Sequence, residues 1–469
     1  MIGQGWGIGL AVGSLLTFAA IAVAAVRRGG PATRDHFLTA RGSQGALPLG
    51  LSFFASVLGA WILFSPPEVG TFAGLLGIAG YALGQAIAVA VFAVVGPRVR
   101  ALSPGGTTLL GFVRERYGRA KHAYVAGVSV LYMFVFLTAE LTAVGGALSL
   151  LAGVDPLVPI VAVAAVTAAY TAYGGLPASI VTDRWQAWLV LGLVAAAAVA
   201  VAAEAGDPGA RAEAAGLTRV DRPGAEVLVV LVIAITAANL FHQGFWQRVW
   251  AARSDAELRR GVLGGGLLIL PVVFVLGLAG MVAAGSEGVA VPSLALFELL
   301  EALPAPAIAL VVVLAVALVA SSVDTLQNAL AALISVDLSA GRIGLAGARG
   351  LTVLLTIPAA AIAAEGLSVL RLFLVADLLA ATIAIPVFLG LWVRVPAAAA
   401  IGGAVAGLVS VVVAGWLDEG SLADGFRLLT LPAGPAFNAF VAAILGSGLV
   451  TAILAGALGD AQKGFTKSS

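Results

Sequence analysis

The 469-residue chain contains no cysteine and few charged residues. Disulfides, thiolate metal sites and cysteine nucleophiles are therefore excluded. The three histidines, His36, His122 and His242, are far apart in sequence and lack the spacing of metal ligands. Charged residues make up 10% of the chain, against about 25% in an average soluble protein. The net charge is +1 and no basic cluster with interleaved aromatics occurs, so nothing indicates a nucleic-acid partner.

Long apolar runs make up most of the sequence. Hydrophobic residues make up 61% of the chain, and the mean hydropathy is +1.07. The runs lack the apolar–polar alternation of an outer-membrane barrel, so they predict an all-α polytopic membrane protein with the lipid bilayer as its partner. Breaks at polar, proline and glycine residues divide them into about thirteen spans. The predicted spans are 4–26, 46–68, 71–95, 121–152, 157–174, 177–203, 226–248, 262–284, 306–337, 345–363, 368–392, 396–416 and 435–458.

The distribution of positive charge predicts the orientation. With the N-terminus outside the cell membrane and the C-terminus in the cytoplasm, most of the 25 lysines and arginines fall in cytoplasmic connections. Arg248 is counted among these cytoplasmic charges. The first span has no basic residues before it and is followed by Arg27 and Arg28, which indicates a retained helix rather than a signal peptide.

A polar stripe crosses the ninth span, in the segment LVASSVDTLQNALAALISVD that begins at Leu318. Ser321, Asp324, Thr325 and Asn328 share one helix face. Hydroxyl, carboxylate and carbonyl oxygens suit a small hard cation such as Na⁺. A seam of interhelical hydrogen bonds explains the same stripe, and the stripe alone does not choose between the two.

Two spans carry helix-breaking residues inside apolar sequence. The second span contains Gly59, followed by Pro66 and Pro67, and the seventh contains His242 and Gln243 before a glycine. Broken helices at corresponding places in two halves of a chain point to an inverted-repeat transporter with its binding site near the bilayer midplane. Ordinary kinks are the alternative.

Three segments resemble the sodium/solute symporter family. They are YTAYGGLPASIVTDRWQ from Tyr170, NLFHQGFWQRVWAARSDAELRRG from Asn239, and ASSVDTLQNA from Ala320. The resemblance extends over nearly the whole chain and implies a LeuT-type fold. In that fold, 1–30 holds a leading helix, 46–203 and 226–393 are two inverted five-helix repeats, 395–458 holds two further helices, and 459–469 is a cytoplasmic tail.

The resemblance also implies a site for Na⁺ as the coupling ion. Carried over residue by residue, its ligands are the carbonyls of Ala55, Leu58 and Leu318 and the hydroxyls of Ser321 and Ser322. Only the two serines need their side chains for this role.

A second cation or proton site is implied at Asp183, with Asp324 as its partner. The alternative for Asp183 is an ion pair with Arg184 or another cytoplasmic arginine. The alternative for Asp324 is a structural carboxylate that accepts hydrogen bonds from hydroxyls.

The solute site is expected between the second, fourth, seventh and eleventh spans. We expect no lysine or arginine in this core, which favours a neutral, zwitterionic or amine-bearing small polar solute. The polar pattern of hexose carriers is missing, as is that of proline carriers. For Glu140 a neutral hydrogen-bonding acid is the alternative. The candidate solute residues are Gly59, Trp61, Glu140, His242, Gln243, Phe373 and Asp377.

The sequence therefore predicts a Na⁺-coupled secondary active symporter that imports a small organic solute by alternating access. A proton-coupled carrier that uses Asp183, Asp324 or Glu140 is the main alternative, and a membrane sensor or channel is less favoured. No nucleophile–base constellation or ATP-binding loop is present, so neither an enzyme nor a primary pump is expected. The sequence does not indicate an oligomeric state.

Overall fold

The computed structural model is all-helical, as expected, over the residues it describes: 1–29, 33–204, 207–285, 289–301, 303–339, 342–430 and 436–465. The end of the predicted cytoplasmic tail, 466–469, lies outside them. The α-helices are α1 Gln4–Gly29, α2 Arg34–Thr39, α3 Ala46–Val57, α4 Ser65–Ala90, α5 Phe92–Leu102, α6 Leu109–Ala152, α7 Leu157–Glu204, α8 Pro208–Ala214, α9 Arg222–Asn239, α10 Gln243–Ala251, α11 Asp255–Ala284, α12 Ala295–Leu300, α13 Ala305–Ala332, α14 Leu345–Ala363, α15 Val369–Phe388, α16 Ala397–Glu419, α17 Leu422–Thr430 and α18 Phe437–Phe465.

Within the described residues, ten helices are long and apolar enough to cross a membrane, and two shorter apolar helices accompany them. The predicted fifth and sixth spans form one 48-residue element, α7, with a kink at Gly175. Gly175 has φ 61°, and a Cβ there would lie 2.4 Å from the Phe37 carbonyl oxygen, so glycine is needed for both conformation and space. The predicted count of thirteen spans stays a prediction.

Both interruptions expected from the sequence are present. Helix α3 ends at Val57 because Leu58 and Gly59 are extended, with ψ 102° and −175°. A 3₁₀ turn, Ala60–Leu63, follows before α4. Helix α9 ends at Asn239, and α10 begins at Gln243 after an extended His242. The prolines are not the cause of the first break, since Pro66 and Pro67 lie in the first turn of α4, where a missing N–H costs little.

The helices form two packing groups. The broken pair, α3 and α9, packs with α4 and α11, whereas α6, α7, α13 and α14 pack with one another. Each group takes elements from both 46–203 and 226–393, in the same order, as two repeats of one design would. The repeat boundaries themselves stay a prediction. Helix α1 packs on α7, and α16 and α18 pack on α15.

Glycines bring the backbones of α4 and α11 into contact. A Cβ at Gly280 would lie 2.0 Å from the Pro67 carbonyl oxygen, and one at Gly70 would lie 2.3 Å from the Gly277 carbonyl oxygen. Small residues at such a contact allow helices to approach closely in a membrane. The first helix after the break is therefore held against α11 by direct backbone packing.

Gly280→Ala is expected to destabilise the protein by about 1–3 kcal/mol, because α4 and α11 must separate to admit the methyl group. Gly264→Ala is the matched control on the same helix, since a Cβ there meets no atom within 4 Å. Thermal unfolding of the purified protein compares the two. A Gly280→Ala midpoint equal to that of the control would contradict the close packing.

Candidate functional site

A small cavity lies where the two packing groups meet. Every lining residue is at most 9% exposed, so the cavity lies within the protein interior. The lining consists of five pairs of residues that are four apart in sequence. Four of these pairs lie on one helix and so face the same side, whereas Val57 and Trp61 flank the first break. The pairs are Val57 with Trp61, Tyr81 with Gln85, Tyr132 with Phe136, Ile235 with Asn239, and Phe373 with Asp377.

The cavity combines one carboxylate with several aromatic rings. Asp377 is the only charged side chain in its lining. Phe373 contacts Trp61 edge-on at 5.9 Å between ring centroids and Phe136 at 4.9 Å. Tyr81 stacks on Trp61 at 5.4 Å. A carboxylate beside aromatic faces is an arrangement that attracts an organic cation.

The two amides of the cavity add hydrogen-bond acceptors. The Oε1 atom of Gln85 is buried and has no hydrogen-bond partner among the described residues. Asn239 uses its amide nitrogen to donate to the Ile235 carbonyl, at 2.8 Å. Its oxygen accepts a long hydrogen bond, 3.5 Å, from the Tyr132 hydroxyl. The unpartnered Gln85 oxygen therefore adds an acceptor to the Asp377 carboxylate, and both could accept from N–H donors of a solute.

Three of the predicted solute residues, Trp61, Phe373 and Asp377, line the cavity. His242 lies behind it, stacked on Phe245 at 4.2 Å and edge-on to Phe136 at 5.6 Å. Gln243 is engaged elsewhere. Its oxygen accepts from the Leu109 backbone at 2.8 Å, and its nitrogen donates to Ser129 at 3.0 Å, so it joins α10 to α6.

The remaining predicted solute residues, Gly59 and Glu140, lie together at the first break and outside the cavity lining. A Cβ at Gly59 would lie 1.5 Å from Oε1 of Glu140. The other carboxylate oxygen accepts a 2.8 Å hydrogen bond from the Ala60 backbone.

The sequence reasoning missed the contribution of the third span, where Tyr81 and Gln85 lie. It also missed Tyr132 and Phe136. The available signal was their spacing, since Tyr132, Phe136 and Glu140 follow one another at four-residue intervals on α6.

The five predicted Na⁺ ligands belong to elements that pack together: α3 and the 3₁₀ turn both contact α13. Within the described residues, the carbonyls of Ala55 and Leu58 accept no backbone hydrogen bond, because the helix ends there. The Ser322 hydroxyl is buried without a partner, and Ser321 donates to Asp183 at 2.6 Å. Free, buried oxygens of this kind fit a hard monovalent cation.

Asp183 forms a fully buried ion pair with Arg248, at 2.8 Å. This corrects the expectation of a core without lysine or arginine. Arg248, which was counted among the cytoplasmic charges, is instead fully buried on α10. Lys121 is buried as well, and its Nζ donates to the Ala400 carbonyl at 2.8 Å. Arg184, by contrast, is exposed.

Hydroxyl groups surround the ion pair. The Arg248 guanidinium donates to Ser52 at 2.7 Å, Ser56 at 2.6 Å and Thr325 at 2.9 Å. The guanidinium thus joins α10 to α3 and α13 through buried charge-assisted hydrogen bonds. The positive charge that balances Asp183 in this structure is therefore part of the chain.

Among the described residues, the side chains that donate to Asp324 are all hydroxyls. Tyr170 donates at 2.8 Å, Ser179 at 2.7 Å and Thr182 at 3.4 Å. These contacts match the alternative of a structural carboxylate that joins α13 to α7. A proton or cation role for Asp324 stays a prediction. The last member of the stripe, Asn328, is buried, and its amide nitrogen has no partner among the described residues.

The profile of the sodium:solute symporter family matches residues 37–407. The chain belongs to this family. Its members are transporters rather than enzymes, and this chain is accordingly an integral membrane protein of solute symport. The resemblance recognised in the three sequence segments is confirmed.

Two curated proteins are similar in sequence. The spermidine transporter DUR31 of Candida albicans (strain SC5314 / ATCC MYA-2876) is 29% identical over 437 residues, which cover 89% of this chain and 84% of that protein. The urea active transporter of Saccharomyces cerevisiae (strain ATCC 204508 / S288c) is 22% identical over 211 residues, which cover 41% of this chain and 29% of that protein.

Solved structures share the fold. A Na⁺-coupled sialic acid symporter in a substrate-bound outward-open state superposes with a TM-score of 0.74 at 17% identity, covering 96% of this chain and 98% of the other. MhsT in complex with L-phenylalanine superposes with a TM-score of 0.56 at 15% identity, covering 88% and 98%. The LeuT-type fold expected from the resemblance is confirmed.

Proposed function

We propose that this symporter imports a small organic amine in its cationic form and couples the import to Na⁺. The observation that carries the solute class is Asp377, a lone carboxylate in an aromatic cavity. Charged side chains inside a membrane protein are costly and usually have a partner. A protonated amine would neutralise Asp377, donate to the free Gln85 oxygen and rest against the aromatic rings.

The buried arginine does not oppose this solute class. Arg248 is paired with Asp183 and surrounded by hydroxyls, and it does not line the cavity. Among the described lining residues, the cavity therefore presents a carboxyl group and no cationic side chain to its solute. The similarity to a spermidine transporter over most of both chains supports an amine, and spermidine is the first solute to test.

For the coupling ion, the proposal places Na⁺ at the first break. Its ligands would be the carbonyls of Ala55, Leu58 and Leu318 and the hydroxyls of Ser321 and Ser322. The family membership and the free oxygens at this place support Na⁺ as the ion. Binding would hold the broken segment of α3 against α13, next to Val57 and Trp61 of the cavity wall. Na⁺ and solute would then raise each other's affinity by the same factor.

Import by alternating access would proceed with the N-terminus outside and the C-terminus in the cytoplasm. Both cargoes are positive, so each entering charge gains about 2.3 kcal/mol at a membrane potential of −100 mV. Uptake should therefore carry inward current. Relative motion of the two packing groups would open the cavity first to one side and then to the other.

Uptake of labelled spermidine into proteoliposomes with an inward Na⁺ gradient tests the proposal. Ser322→Ala and the double variant Ser321→Ala/Ser322→Ala are expected to abolish the Na⁺-dependent part of uptake. The single variant is the sharper test, because Ser321 also donates to Asp183 of the buried ion pair whereas Ser322 does not. Ser447→Ala is the control, since its buried hydroxyl donates to the Ile444 carbonyl on its own helix, α18.

Unchanged Na⁺ dependence in Ser322→Ala would exclude this ion site. Uptake driven by a pH gradient without Na⁺ would replace Na⁺ by a proton and direct attention to Asp324. Uptake of urea but not of spermidine would exclude the cationic solute while leaving the coupling ion untouched.

A further inference from the structure

We infer that Glu140 is a direct ligand of the coupling Na⁺ ion, through a carboxylate oxygen that completes the ring of carbonyl and hydroxyl oxygens at the first break. The inference rests on the Na⁺ site proposed above and adds to it a negatively charged ligand from a third helix, α6.

The position of the carboxylate is fixed by the broken backbone. Glu140 is fully buried, and its Oε2 accepts the 2.8 Å hydrogen bond from the Ala60 N–H. Oε1 lies so close to Gly59 that any side chain at this residue would displace it. The carboxylate thus occupies the space beside the extended residues that separate α3 from the 3₁₀ turn.

Two oxygens at this place lack a partner. Oε1 of Glu140 and the hydroxyl of Ser322 are both buried without a hydrogen bond to any described residue. Ser322 lies beside the Glu140 carboxylate but makes no well-formed hydrogen bond to it. Leaving a buried polar atom unpaired is energetically costly. A cation that contacts both oxygens, together with the free Leu58 carbonyl, removes these costs at once.

Charge balance favours Glu140 over the other buried carboxylates for this role. Asp183 is neutralised by Arg248, Asp324 is held by the hydroxyls of Tyr170 and Ser179 on α7, and Asp377 faces the solute cavity. Na⁺ in a weakly polarisable interior gains most from a nearby anion. Glu140 is the carboxylate that adjoins the break, and it lies outside the cavity lining. Each of the two positive cargoes then has a carboxylate of its own.

The test measures Na⁺ binding without solute, as Na⁺-induced thermal stabilisation of the purified full-length chain. Glu140→Gln keeps the size of the side chain and is expected to raise the half-saturating Na⁺ concentration by at least about tenfold, the scale on which groups at metal sites affect affinity. Spermidine affinity, measured at saturating Na⁺, should stay near that of the wild type. Glu298→Gln, on the exposed face of α12, is the matched control and should change neither.

Glu140→Asp keeps the charge but retracts it by one methylene, and it should also weaken Na⁺ binding. It provides the measurement if Glu140→Gln does not fold. Wild-type Na⁺ affinity in the folded variants, with weakened spermidine binding, would overturn the inference and return Glu140 to the solute site. If the wild type itself shows no Na⁺-induced stabilisation, the proposed Na⁺ coupling fails, and the inference fails with it.

Discussion

Asp377→Asn is expected to abolish spermidine uptake and to weaken spermidine binding by more than ~100-fold, since leaving one member of a buried charge pair unpaired costs about 3–5 kcal/mol. Asparagine has nearly the shape of aspartate, so the change removes charge and leaves the cavity volume almost unaltered. Thermal stabilisation of the purified variant by spermidine, at saturating Na⁺, measures the loss.

The control is Asp418→Asn, the same chemical change at an exposed residue. A second comparison is Asp377→Glu, which keeps the charge and should retain part of the binding. Spermidine affinity in Asp377→Asn within about threefold of the wild type would rule out a charge pair at this residue. Stabilisation of the variant by an uncharged amide but not by amines would show that the carboxylate selects the solute by charge.

The second large effect is expected on stability. Asp183→Asn should destabilise the protein by about 3–5 kcal/mol, because it leaves the fully buried Arg248 guanidinium without its counter-charge. Arg248→Gln should cost at least as much, since Ser52, Ser56 and Thr325 lose their charged donor as well. Thermal or detergent-induced unfolding of the purified protein measures both.

Arg184→Gln is the control, being adjacent to Asp183 in sequence but exposed. The double variant Asp183→Asn/Arg248→Gln should be less destabilised than the sum of the single variants, because neither buried charge is then left alone. Additive effects would contradict a direct pair. A larger effect of Arg184→Gln than of Arg248→Gln would show that Asp183 pairs with Arg184 instead.

The arrangement of charges has a consequence for coupling. Arg248 lies on α10, after the second break. It donates to Ser52 on α3, before the first break, and to Thr325 on α13. The two broken helices are thus joined through one guanidinium on one side of the proposed Na⁺ site, and Glu140 adjoins that site from α6. Movement of either broken helix must change these contacts, which gives ion binding a physical route to the cavity.

The sequence by itself determined the class of the protein and the places where its helices break. Apolar runs of membrane-spanning length allow only helices in lipid unless the chain closes into a barrel, and the missing alternation excluded the barrel. Glycine and polar residues in the second and seventh spans marked both interruptions. Trp61, Phe373 and Asp377 could also be chosen in advance, because they are polar or aromatic residues on helices expected at the centre.

Only the tertiary structure decided which of these residues face one another. Arg248 follows the second break by a few residues, and its position in the sequence predicted a helix end near the cytoplasm. Whether its side chain faces solvent or the protein interior depends on how α10 packs against α3 and α13. Glu140 and Tyr132 share one face of α6, yet one adjoins the break and the other lines the cavity. The helical period fixes the helix face on which a residue lies. The residues that it contacts depend on which helices cross that face and at what depth. Long-range packing sets those crossings, and no local sequence pattern encodes them.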